Sequence, residues 1–378
     1  MSLAEDAIYL KLREEIDKMP CGMPKTESGV EIRLLKRLFS PEEAFIASHL
    51  NVLPESPKTI HKRISKSREN LSLDQLTEIL EDLSRRGLIL PDWKKGKRVY
   101  GLPLLAIGIF EFQVDRMSRE FYEDCEEYLT YFKEEYYKFN SPQLRTVPIE
   151  KSISVETEIA TYDDMRETIK GIEGQFVIVN CVCRQGEELV GNKCKTTDMK
   201  ETCIIFPEAG WRYLEFGTGR PVTKEEVFEI LTKAEDAGLV IQPSNSKRPM
   251  NICCCCGCCC GALRMAKYFD KPAERFATNY RAEVDTLSCS GCKICVKRCP
   301  MDAVTVKNKK AFVDKDRCIG CGVCVPKCKE SSMKLVSKHK HTVPPGTTDM
   351  YYGKILLKKQ GVAGIAKTFL KHAAGQKA

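Results

Sequence analysis

The sequence predicts an α+β fold spread over several domains. Three observations carry this reading. The first third holds amphipathic segments with helix-start signals, then a short basic hairpin. Further on, Phe176-Val177-Ile178-Val179 reads as a buried strand that delivers into a cysteine-rich loop. Near the C-terminus two cysteine runs repeat one spacing, each followed by a short strand-like stretch.

At 378 residues the chain is long enough for two or three domains with real cores. It carries 21 cysteines, grouped mainly at metal-type spacings, which points to ligands rather than disulfides. The mixed, charged stretch from Met1 to Lys18 has no signal-peptide pattern, and no run is long enough to span a bilayer, so a reducing cytoplasm is expected. Dense thiolate clusters are oxygen-sensitive, which suits an anaerobic cell. A net charge of +8 favours acidic partners only weakly. The five histidines exclude His-rich metal sites, and no CxxCH haem site occurs. No Walker A loop and no GxGxxG are found, so no nucleotide site is expected.

Ser40-Pro41-Glu42-Glu43 is a capping box with proline at the first helical position. Ser72 with Gln75 opens another helix, with Leu76, Ile79, Leu80 and Leu83 on one face and Gly87 as its stop. Upstream, Ile32, Leu35 and Phe39 form an apolar stripe, and Lys94-Lys95-Gly96-Lys97 reads as a hairpin tip. Helices followed by Arg86-Gly87-Leu88-Ile89 and a basic hairpin resemble a winged helix-turn-helix domain over roughly Val30 to Leu105. Such a resemblance implies docking or nucleic-acid binding. The helix in the reading position carries Asp74, Glu78, Glu81 and Asp82, which repel phosphate. Lys58, His61, Lys62, Arg63, Lys66 and Arg68 sit one segment earlier, so docking ranks above DNA binding. Phe110 to Phe139 reads as one long aromatic helix packed between domains, with Cys125 a buried thiol; Cys21 reads as an incidental thiol.

The strand at 176–179 leads to Cys181, Cys183, Cys194 and Cys203, separated by one, ten and eight residues. That is not the paired-knuckle pattern of a zinc ribbon, and it suits a cluster or a soft metal. Arg184 offers a donor to sulfide or thiolate. Thr223 with Glu226 caps a helix whose stripe is Val227, Ile230, Leu231 and Ala234, ended by Gly238. Then come Cys253, Cys254, Cys255, Cys256, Gly257, Cys258, Cys259 and Cys260: seven cysteines in eight positions. They cannot all face one metal, because neighbouring side chains diverge on strand and helix alike. A helix through Leu263, Met265, Lys267, Tyr268 and Phe269 follows. The pairing of the two groups resembles a cysteine-rich domain of iron–sulfur proteins from anaerobes. It implies at least one further cluster in 181–260, non-cubane clusters included, with a metallothionein-like store or a zinc site as the alternative.

Cys289, Cys292, Cys295 and Cys299 are followed by Pro300, and Cys318, Cys321, Cys324 and Cys328 repeat the spacing. Both runs read C-x2-C-x2-C-x3-C, the spacing that wraps a backbone around an iron–sulfur cubane. The stretch from Asp285 to Val336 resembles the bacterial-type two-cluster ferredoxin domain, and covers about one seventh of the chain. The resemblance implies two pseudo-repeated halves and two [4Fe–4S] clusters, with the fourth cysteine of each run crossing over. One cluster then takes Cys289, Cys292, Cys295 and Cys328; the other takes Cys318, Cys321, Cys324 and Cys299. Strands are expected at 303–306 and 333–336. Lys329 replaces the proline of the first run and adds positive charge. In the tail, Val362, Ile365, Ala366, Phe369 and Leu370 follow helical spacing among lysines, which suits self-packing or partner docking above peripheral membrane contact.

The expected organisation is a winged-helix-like docking domain at 1–108, a connecting helix and linker at 109–151, a cysteine-rich cluster domain at 152–284, a two-cluster ferredoxin domain at 285–337, and a tail at 338–378. The function expected is relay of single electrons between a donor and an acceptor redox protein, as a free carrier or as a subunit of an oxidoreductase complex. Two other classes use the same residues: a redox-sensing transcription regulator, and a reductase subunit with an unusual cluster at 253–260.

Overall fold

The computed structural model describes residues 3–67, 70–138, 142–153 and 159–377. The chain divides into two units. One comprises residues 1–139, 212–218 and 352–378; the other comprises 140–211 and 219–351. Helices and strands are mixed throughout, as an α+β protein requires.

In the first unit α1 (Leu3–Asp17), α2 (Val30–Leu38), α3 (Pro41–Ala47), α4 (Pro57–Ile64) and α5 (Leu73–Arg85) precede the hairpin β1 (Leu90–Lys94) and β2 (Lys97–Gly101). Ser40 and Ser72 each form a complete capping box, with Glu43 and Gln75 returning a bond to the cap amide. Leu76, Leu80 and Leu83 are buried on α5, with Leu12, Ile16, Ile60 and Ile64 from α1 and α4. At the hairpin tip Lys95 and Gly96 both have positive φ, 50° and 72°, as a tight two-residue hairpin requires. The basic segment is only partly exposed. Arg63 donates to both Glu55 carboxylate oxygens at 2.7 Å, and His61 Nε2 bonds the Leu71 carbonyl at 2.7 Å. Arg68 lies outside the described residues.

The single helix expected from Phe110 onward is two: α6 (Phe110–Phe112) and α7 (Arg119–Tyr137); Phe139 lies outside the described residues. Asp115 turns the chain at φ 65°, and Ser118 starts α7 afresh by accepting from the Phe121 amide at 3.1 Å. Phe121, Tyr122, Tyr128, Phe132, Tyr136 and Tyr137 are buried on α7, so the aromatics do pack.

The second unit centres on a five-stranded antiparallel sheet in the order β5-β3-β4-β7-β6. Its elements are α8 (Met165–Lys170), β3 (Phe176–Asn180), α9 (Val182–Leu189), β4 (Glu201–Ile205), α10 (Pro207–Glu215, whose last turn belongs to the first unit), β5 (Arg220–Val222), α11 (Lys224–Ala237), β6 (Val240–Pro243), β7 (Asn251–Cys255) and α12 (Gly261–Ala266). Val227, Ile230, Leu231 and Ala234 of α11 are buried, and Gly238 caps it at φ 88°. Thr223 accepts from the Glu226 amide, but the Glu226 carboxylate pairs with Arg220 at 2.6 Å. The helix after the cysteine run is shorter than expected. It stops at Ala266, and Tyr268 stands exposed beyond it.

Two small antiparallel sheets complete this unit. β8 (Tyr280–Val284) pairs with β11 (Met333–Ser337), and β9 (Val304–Lys307) pairs with β10 (Lys310–Val313); α13 (Ile294–Arg298) lies within the first cysteine run. The strands expected after each cysteine run are therefore β9 and β11. Between them lies a small core of Ala282, Ala303, Val304, Ala311 and Met333, against which six of the run cysteines pack.

The final helix, α14 (Thr348–Ala373), is kinked at Gly361 (φ 70°). The apolar stripe is helical, yet Val362, Phe369 and Leu370 are 75%, 57% and 72% exposed. No helix among the described residues is long and apolar enough to cross a membrane.

Candidate metal centres

The two C-terminal runs are local loops whose cysteines converge because each run folds back against the other's strand. A cavity between them is lined by Cys289, Cys292, Cys295 and Cys328, together with Val284, Val306, Ala311 and Met333. The fourth cysteine of the second run thus meets the first three of the first. Cys318, Cys321 and Cys324 lie within electrostatic reach of one another and of Cys299. Backbone amides already point at these sulfurs. Ala311 N–H donates to Cys289 Sγ at 3.4 Å, Ala303 N–H to Cys299 Sγ at 3.2 Å, and Ala282 N–H to Cys318 Sγ at 3.4 Å. Gly291 and Gly320 hold positive φ where a Cβ would fall 2.4 Å from the Lys309 carbonyl oxygen and 2.1 Å from that of Tyr280. The two halves do not differ only in register. Cys318, Cys321 and Cys324 are buried, whereas Cys292 is exposed. Burial pushes the Cys321 and Cys324 thiols up. Burial also opposes ionisation of Cys328, but the Ser332 hydroxyl at 3.3 Å and neighbouring amides bring that thiol below its ordinary range.

The eleven middle cysteines come together from the junction after β3 (Cys181), α9 (Cys183), the loop between α9 and β4 (Cys194), β4 (Cys203), β7 and the turn before α12. The sulfurs of Cys194, Cys256, Cys258 and Cys259 all lie within 4.8 Å of one another. Cys194 Sγ is 3.7 Å from both Cys256 Sγ and Cys258 Sγ, and Cys258 Sγ is 3.6 Å from Cys259 Sγ. Four converging thiols suit a tetrahedral metal or one cubane. The hydrogen bond from Cys259, with Arg184 nearby, draws the Cys256 thiol down to about 4. Cys181, Cys183, Cys203, Cys253, Cys255 and Cys260 are not among these four and contact one another in turn. Cys254 joins neither set. It alternates to the opposite sheet face from Cys253 and Cys255 and is buried there.

Residues 288–333 match the family of 4Fe-4S dicluster domains. The chain is an iron–sulfur protein. No curated protein and no solved structure matches it.

The donor set of this iron–sulfur protein fits its clusters. Soft thiolates supply the ligands, amides aimed at sulfur supply the second layer, and glycines clear the space. Sequence reasoning did not find the residues of that second layer. The amides of Ala282, Ala303 and Ala311 carry no side-chain signal. Ser332 stands four residues after Cys328 and is an ordinary loop serine by composition. Arg298 donates to the Val323 carbonyl at 2.7 Å and lies within electrostatic reach of Cys321 and Cys324.

Proposed function

We propose that this chain is a multi-cluster electron carrier that relays single electrons between a donor and an acceptor redox protein. A [4Fe–4S] cluster supplies reversible one-electron chemistry with little bond rearrangement. In this reading Cys289, Cys292, Cys295 and Cys328 hold one cluster near the surface, and Cys299, Cys318, Cys321 and Cys324 hold a second, buried one. The middle cysteines hold further metal. The single observation that carries the reading is the cavity in which Cys328 joins the three cysteines of the other run.

The chain's own residues do the rest of the work. Val284, Val306 and Met333 line the first cavity with apolar surface and limit water. The amides of Ala311, Ala303 and Ala282 stabilise charge on sulfur and raise potentials. Beside Cys328 a shallow groove is lined by Lys297, Arg298, Lys327 and Lys329, which suits an acidic redox partner. The first unit, with its helices and hairpin, serves as a docking module.

The test is iron and acid-labile sulfide content of anaerobically purified protein, with EPR of the reduced state. More than about eight irons per chain and at least two distinguishable reduced-cluster signals support the relay. A chain that holds no iron after anaerobic reconstitution would refute it.

A further inference from the structure

The middle of the chain holds a thiol array larger than one metal ion or one cubane can use. On β7, Cys253 and Cys255 are two residues apart and so share a face. Cys203 on β4 is the direct cross-strand partner of Cys253. Cys181 lies between β3 and α9, Cys183 lies in the first turn of that helix, and Cys260 precedes α12. Their sulfurs form one continuous path. Cys181 contacts Cys183, Cys183 contacts Cys260, Cys260 contacts Cys255, Cys255 contacts Cys253, and Cys253 contacts Cys203. A structural zinc site and a cubane each close with four ligands. Six thiols in a row exceed both.

A second, independent observation points to an anionic occupant. Arg184 is buried, 7% exposed, between this array and the quartet. Its guanidinium donates to the Met199 carbonyl at 2.9 Å, Thr202 Oγ1 and the Cys254 carbonyl, and its one sulfur partner is Cys256. Its Nε has no hydrogen-bond partner, and among the described residues no carboxylate pairs with it. A buried cation needs a counter-charge. The groups beside it that can carry one are the sulfurs of Cys181, Cys255 and Cys256.

From this we infer that Cys181, Cys183, Cys203, Cys253, Cys255 and Cys260 form a polynuclear iron–sulfur centre of their own, separate from the quartet of Cys194, Cys256, Cys258 and Cys259, with Cys254 outside both. The occupant is a cluster with more protein thiolates than a cubane takes, some of them bridging. Ligation releases the thiol protons, and Arg184 balances the resulting negative charge. The inference rests on the iron–sulfur reading of the chain.

The experiment is 57Fe Mössbauer and EPR spectroscopy of the full chain, reconstituted anaerobically with iron and sulfide. Wild type is compared with Cys253→Ala/Cys255→Ala, Cys258→Ala and Cys254→Ala. Cys183→Ser, on α9 rather than on the central strand, is the second variant should the β7 change prevent folding. The expected result is a component of about two or more irons that is lost in Cys253→Ala/Cys255→Ala and in Cys183→Ser. That component persists in Cys258→Ala and Cys254→Ala. The ferredoxin-type signals persist in all of them and report folding. If the array variants lose no iron, or if they and Cys258→Ala abolish the same component, the separate centre is refuted. Zinc in place of iron at the array refutes it as well. Absence of the ferredoxin-type signals from wild type would instead sink the iron–sulfur relay itself, a different result from loss of the middle component alone.

Discussion

Gly257 and Pro300 meet backbone to backbone: a Cβ on Gly257 would fall 2.3 Å from the Pro300 carbonyl oxygen and 2.9 Å from its Cα. Gly257 sits between Cys256 and Cys258, and Pro300 directly follows Cys299. The seven-cysteine run and the buried ferredoxin site therefore touch through two adjacent peptide segments. Lys267 and Asp302 add an ion pair at 3.0 Å across the same junction. The contact sets the middle cysteines against the Cys299 side of the dicluster domain.

Gly257→Ala tests that junction. No positive φ is involved, so the effect is steric alone. The backbone atoms of Pro300 cannot yield as a side-chain tip would, and overpacking of this kind costs about 1–3 kcal/mol. The variant is expected to lower the thermal midpoint and to weaken any spin coupling between the middle centres and the dicluster domain in reduced-state EPR. Unchanged stability together with unchanged coupling would remove the junction from the electron path.

The crossing of ligands predicts which cysteines behave as groups. Cys328→Ala is expected to erase the same EPR component as Cys292→Ala, with loss of about four irons. Cys299→Ala is expected to erase the component lost in Cys321→Ala. Grouping by run instead, with Cys328 following Cys321, would contradict the crossed assignment.

What the sequence made legible follows from what is local. The C-terminal runs declare themselves because each loop's turns and spacing are set within a dozen residues. Strand β3, the capping boxes at Ser40 and Ser72, and the hairpin at Lys95-Gly96 are local in the same sense. The division of the middle cysteines is not. It depends on Cys203 facing Cys253 across two strands fifty residues apart in sequence, and on Cys194 reaching the turn at Gly257. The break before α7 carried a single signal, the cap at Ser118, and the aromatic pattern ran through it. The exposure of Val362, Phe369 and Leu370 was invisible because a helical stripe has the same spacing whether or not something covers it.

Arg145 and Asp163 form an ion pair with both side chains fully buried, and Asp163 also accepts from Asn279 at 2.8 Å. The pair ties the entry segment of the second unit to the helical turn at Thr161–Asp163, and Asn279, the residue before β8, joins it. Burial holds the Asp163 carboxyl above its ordinary range, against the pull of Arg145. With the folded pKa raised, the native state keeps a proton that the unfolded chain has already lost. Stability therefore falls as pH rises through that window and is recovered below it. Arg145→Met removes the opposing pull and leaves a buried carboxylate, so a loss of about 3–5 kcal/mol is expected at neutral pH. The loss should shrink at acidic pH, where the carboxyl is protonated. Denaturant unfolding at both pH values, with Arg145→Met/Asp163→Leu as the variant that restores stability, checks the sign.

The lysines beside Cys328 predict how electrons enter or leave. Lys297, Lys327 and Lys329 are exposed around a groove that reaches Cys328, one of the four cysteines lining the solvent-side cavity. Surface charge of one sign raises the local concentration of an oppositely charged reactant, and salt screens it over about 10 Å at 0.1 M. Lys327→Glu/Lys329→Glu is therefore expected to slow oxidation of the reduced protein by ferricyanide, an anion, by several-fold at low salt. Oxidation by a cationic cobalt complex should accelerate by a similar factor, and both differences should fade as salt is added. Stopped-flow kinetics with the two oxidants reads this directly. Equal effects on both would mean that the substitutions altered the cluster rather than the approach to it, and would overturn the proposal that the groove docks a partner.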